Sequence, residues 1–130
     1  MSDKPPVIVR RFLLAADEDL QLAKLVLPTS TNHAAKFAYM AAFHAAQAAI
    51  LVFNGDVPRT HKGVRNAFAL LAKEKKGLGA ELGRFLARAY QFKEAADYKL
   101  EAPITADEAK SAIAKAADLF QKVRSVVAKT

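Results

Sequence analysis

The sequence predicts an all-α fold, an antiparallel up-and-down four-helix bundle with an additional short helix, on three observations. Hydrophobic residues make up 52% of the 130 positions, but alanine supplies much of that share and Trp is absent. Alanine is the best helix former and β-branched residues are few, so the composition favours closely packed helices over sheet. The five Gly and five Pro fall in clusters that read as loops. Between those clusters the apolar residues recur in alternating steps of three and four, the period of a bundle helix. The length suits one domain over 1–130, with a core that needs no covalent staple.

Met1 to Pro6 read as a frayed terminus, because Pro5-Pro6 prevent an earlier helix start. A first helix follows from Val9 to Leu27, with Leu13, Ala16, Leu20, Ala23 and Leu27 as its stripe and Pro28 as its end. Thr29-Ser30-Thr31-Asn32 offers N-caps for a second helix reaching Phe53, stopped by Asn54-Gly55-Asp56. This helix is apolar nearly all round; Lys36, Gln47 and Asn54 fall on one line. Such a helix is central, or divides its faces between the core and a partner chain. Thr60 caps a third helix with Val64, Phe68 and Leu71 inward, which Gly77 to Gly79 break. A fourth runs from Ala80 to Tyr98. The fifth runs from Ala106 to Ala128, opened by the capping-box pattern Thr105-Ala106-Asp107-Glu108.

Several functions are excluded by what is missing. With no Cys, disulfides, thiolate metal sites and cysteine nucleophiles all fall away. Three scattered His lack metal-ligand spacing, and Gly-rich phosphate loops are absent, so neither a metal nor a cofactor is expected. Arg10-Arg11-Phe12-Leu13-Leu14 imitates a twin-arginine export signal, but its apolar stretch ends at Asp17-Glu18-Asp19. No uninterrupted apolar run approaches the roughly 20 residues of a bilayer crossing. The reading is a cytoplasmic protein that makes no membrane contact.

The formal net charge is +7, and its distribution is uneven. From Arg59 to Lys76 six cations (Arg59, Lys62, Arg65, Lys73, Lys75, Lys76) face Glu74 alone. Such clustering attracts polyanions by counterion release, or serves as a solvated face. His61 stands in the first turn of its helix among Arg59, Lys62 and Arg65, where unpaired N–H groups and the helix dipole welcome an anion. On the fourth helix Leu82, Leu86, Ala89 and Ala96 form a stripe whose in-phase position between the last two is Lys93, with Tyr90 and Asp97 beside it. A lysine there faces a cleft, or pairs with Asp97 at the surface. His44, amid apolar neighbours, taken alone reads as a hydrogen-bonded core residue. Asp17-Glu18-Asp19 reads as a helix first turn or exposed face rather than as catalytic carboxylates.

Three stretches carry a family resemblance. They are Tyr39-Met40-Ala41-Ala42-Phe43-His44-Ala45-Ala46, Pro58-Arg59-Thr60-His61-Lys62-Gly63-Val64 and Phe92-Lys93-Glu94-Ala95-Ala96-Asp97-Tyr98. In order, spacing and helical placement the chain resembles the HEPN family, in particular its small stand-alone members. The resemblance implies a homodimer with these helices facing a cleft near its axis. It also implies an association with RNA or nucleotides as a toxin–antitoxin component, with a minimal nucleotidyltransferase as partner and metal-independent ribonuclease activity. The alternative it leaves is a non-catalytic module that binds a nucleotide or that partner. The cleft would hold His44, His61 and Lys93 as catalytic groups, with Arg59, Lys62, Arg65, Asp97 and Tyr98 on the substrate. The sequence departs from the family's nuclease signature, an Arg followed after four to six residues by a His on the late helix. Lys93 stands where that Arg is expected, and no His follows His61.

Overall fold

The computed structural model describes residues 6–98 and 103–130, Tyr98 by its backbone alone. The frayed terminus expected at residues 1–5 lies outside the described residues. Five helices follow in order: α1 Val7–Val26, α2 Thr31–Asn54, α3 His61–Glu74, α4 Ala80–Tyr98 and α5 Ala106–Ala128. No strand occurs among the described residues. The caps explain the boundaries. Ser30 accepts from the His33 N–H, Thr60 from Gly63, and Thr105 forms both halves of a capping box with Glu108. Gly55 ends α2 at φ 87°, a conformation that costs a residue with a Cβ. α1 starts two residues before the expected Val9, because Pro6 takes the position ahead of the helix and its carbonyl accepts from Arg10.

α2 touches all four other helices. Nine of its twelve buried residues are alanine, so its neighbours come close to its backbone. By length and composition α2 also meets the requirement for crossing a membrane, with a mean hydropathy of 1.3 over its most apolar window. That corrects the expectation drawn from uninterrupted runs. The apolar surface has an internal use, since the helix is the axis of the bundle. Of the two readings of a helix apolar nearly all round, the central one holds, with twelve of its 24 residues buried. Large exposed apolar side chains include Leu14 and Leu25 of α1, opposite its buried stripe of Val9, Ala16, Leu20 and Ala23, and Leu70 of α3.

Contacts along α2 fix the directions of its neighbours. A short turn returns α1 alongside it, with Asp19 against His44. Tyr90 and Asp97 of α4 meet Tyr39 and Lys36, so α4 is antiparallel to α2. Thr31 donates to the Ile104 carbonyl at the start of α5, which runs alongside α2 to the opposite end. The four long helices therefore alternate as expected. The short α3 begins against Phe43 and ends with Lys75 over Phe53, in the same general sense as α2.

α3 and α4 are held together through glycine. A Cβ on Gly83 would stand 2.9 Å from the Cα of Ala69, a backbone atom that cannot move aside. Gly83→Val should therefore lower stability by about 1–3 kcal/mol through overpacking, well beyond what better helix propensity returns. Thermal denaturation followed at 222 nm tests this; an unchanged midpoint would mean that the two helices do not need their close approach.

Candidate functional site

The floor of the site is aromatic. Tyr39 and Phe43, one turn apart on α2, are both buried and present one face. The His61 ring lies flat on Phe43, with centroids 4.2 Å apart and planes 17° from parallel, and its Nδ1 is 2.8 Å from the Tyr39 hydroxyl. Tyr90 of α4 meets Tyr39 edge-on, and the Arg65 guanidinium covers the Tyr90 ring at 3.7 Å. The Tyr90 hydroxyl donates to Glu94 at 2.8 Å. One turn along α4, Asp97 bonds Lys93 and Lys36, each at 2.8 Å. Next to Phe43 along α2, His44 Nδ1 sits 2.7 Å from Asp19 of α1.

The loop before α3 is built to place His61. Thr60 caps the helix through the Gly63 N–H at 2.9 Å. A Cβ on Gly63 would lie 2.8 Å from Pro58 Cβ and 2.9 Å from Thr60 Oγ1, so Pro58 packs where only glycine leaves room. The stretch from Pro58 to Gly63 interlocks, and the first helical residue is delivered onto Phe43.

Burial pushes the Tyr39 hydroxyl up to about 12, against the pull of Arg65, so it keeps its proton at neutral pH. His61 is held below the ordinary histidine range, first because its ring face is packed and then because Lys93 and Arg65 are near. It is neutral at pH 7. In the tautomer with the proton on Nδ1, that proton goes to the Tyr39 oxygen and Nε2 is left as a base. Asp97 is held below the usual carboxylate range by its hydrogen bonds to Lys36 and Lys93, while the Asp97 bond raises Lys93. Tyr90 is raised by its bond to Glu94.

Of the residues expected from sequence, His44, His61, Arg65, Lys93 and Asp97 gather around this floor. Arg59 and Lys62 are exposed beside the start of α3. The side chain of Tyr98 lies outside the described residues. Lys93 is half-buried, and its pair with Asp97 belongs to a three-membered bridge rather than to a simple surface pair. Asp19 corrects the reading of Asp17-Glu18-Asp19 as helix first turn or exposed face. It sits in the middle of α1, largely covered, and orients His44. Tyr39, Glu94 and Lys36 were also missed as site residues. The motif stretches around Tyr39 and Glu94 pointed to two of them, and the line through Lys36 to the third.

The HEPN domain model matches residues 9–126. The chain belongs to the HEPN family. This HEPN domain is also similar to a Methanocaldococcus jannaschii protein named "Putative toxin MJ0605", 28% identical over 120 residues that cover 92% of this chain and 88% of that protein. The two cations beside His61 give a measurable consequence. In an NMR titration His61 should lose its proton below the ordinary value of about 6.5, and Lys93→Met should move that midpoint upward. Because the folded state binds the His61 proton less readily than the unfolded chain, this group removes stability as pH falls through the unfolded value. A midpoint at or above the ordinary value would contradict the assignment.

Proposed function

We propose that this HEPN domain acts on RNA as a toxin-type component, and cleaves it without a metal. The observation that carries the reading is a neutral His61, fixed by Tyr39 and Phe43 and flanked by Arg65 and Lys93. Attack of a ribose 2′-hydroxyl on the adjacent phosphorus needs a base, an acid and a cation. His61 Nε2 takes the hydroxyl proton as O2′ bonds to phosphorus. Arg65 and Lys93 balance the charge that builds on the phosphate oxygens. His44, oriented by Asp19, gives a proton to the departing O5′, and the products are a 2′,3′-cyclic phosphate and a 5′-hydroxyl. The missing Arg and His of the late helix have a counterpart in His61 and Arg65, one turn apart on α3 in the reverse order.

A second reading has its own observation. Lys93 is already bonded to Asp97, with Glu94 at 3.9 Å, which favours a binding module over a phosphate-activating site. That module would take a nucleotide or a minimal nucleotidyltransferase. Either role is assigned to the cytoplasm and to a homodimer, with the helices that carry the site facing a cleft near its axis.

Purified protein should cleave mixed cellular RNA in EDTA, leaving cyclic phosphate ends. His61→Ala and His44→Ala should each slow this by roughly 10²–10⁴-fold with the fold intact by circular dichroism. A parent protein that binds RNA but leaves it whole selects the binding module, and monomer alone by light scattering at micromolar concentration removes the dimer.

A further inference from the structure

The basic segment between Arg59 and Lys76 is divided by the fold. Arg59, Lys62 and Arg65 stand at the site end of α3, while Lys73, Lys75 and Lys76 stand at its other end, about 20 Å away by helical rise. The second group has no part in the chemistry above. Around it lies an open cavity of about 580 Å³, bounded by the end of α2, the α3–α4 turn and the last turns of α5. Four lysines line it (Lys75, Lys76, Lys122 and Lys129), and no Asp or Glu among the described residues does. Lys122 is neutralised by Asp118 at 3.0 Å; the other three have no ion-pair partner among the described residues.

The floor of this cavity is aromatic. Phe53 is half-buried, and the Lys75 ammonium rests 4.7 Å from its ring centroid. Helix dipoles account for a lysine at the end of α3 or α5, since a cation is favoured at each C-terminus. They do not account for a third lysine in the turn, nor for a ring that its own core covers only in part. Gly77, at φ 100°, keeps the turn pressed on α5; a Cβ there would meet Val126 at 2.8 Å. The cavity is thus shaped by the fold and ringed by positive charge over a flat apolar surface.

We propose that this cavity binds a nucleoside phosphate, either free or as one unit of an RNA strand. The base stacks on Phe53 as the Lys75 side chain swings to the phosphate, and Lys76 and Lys129 hold the remaining negative charge. The volume is in the range of small-molecule pockets, and stacking on a single aromatic ring tolerates any base. The inference is separate from cleavage at His61, which lies about 15 Å away along α2.

The test uses the full chain in EDTA, with adenosine triphosphate, inorganic tripolyphosphate and a fluorescent single-stranded oligonucleotide carrying 2′-O-methyl groups, which cannot be cleaved. Lys76→Glu with Lys129→Glu, both exposed, should weaken adenosine triphosphate binding at least tenfold with the helical circular-dichroism signal retained. Phe53→Leu should weaken adenosine triphosphate but not tripolyphosphate. Lys110→Glu, an exposed change near the start of α5 and outside both sites, should leave both unchanged. Competition by the oligonucleotide identifies the strand as the source; its absence identifies the free nucleotide. Binding of adenosine triphosphate that is undetectable, or indifferent to the lysine and Phe53 changes, overturns the proposal, whatever the outcome of the cleavage assay.

Discussion

Because nine of the twelve buried residues of α2 are alanine, the helices around it pack close to its backbone, with little space between them. The arrangement of the whole bundle follows from that closeness. Where alanine gives way to Tyr39 and Phe43, side chains of ordinary aromatic size have to be accommodated, and α3 and α4 are the helices that meet them. The site forms at that point. His61 lies on one ring and Tyr90 against the other, so the polar groups are positioned by the same packing that builds the core. No separate scaffold is required, and Gly83 against Ala69 keeps the two helices that supply these groups in fixed relation.

Most polar groups of the site come with their own partners. Asp19 answers His44, Glu94 answers Tyr90, and Asp97 answers both Lys36 and Lys93. Pairs that stay partly open to solvent contribute little stability, and their value is in orientation. Arg65 is the exception. Its guanidinium lies on Tyr90, and one buried nitrogen has no hydrogen-bond partner among the described residues.

The helices and their caps were legible because propensity, capping and periodicity agree along most of this chain. The capping box at Thr105, the left-handed Gly55 and the stripes of α1 and α5 all stand where local chemistry puts them. The site was legible at its anomalies. Lys93 broke an apolar stripe, and His61 stood in a basic first turn. Asp19 was invisible, because nothing local distinguishes a carboxylate that faces a neighbouring helix from one that faces water. Tyr39 was hidden for the converse reason, since a tyrosine on an apolar face looks like core until its hydroxyl is given a partner. The basic segment misled in one respect. One run of charge in sequence became two separate surfaces, since a helix of fourteen residues holds its ends well beyond a Debye length.

The interlock of Pro58 with Gly63 has a consequence for how such a chain can change over time. Surface loops ordinarily absorb insertions and deletions with little effect. Here one residue gained or lost after Thr60 would turn the following helix by about 100° relative to its cap, carrying His61 off Phe43 while leaving every hydrophobic residue present. Length drift is tolerated in a connection only when nothing downstream depends on rotational phase. In this connection the phase decides where His61 lies, and a segment that looks like a solvent-exposed link is as fixed in length as the interior of a helix.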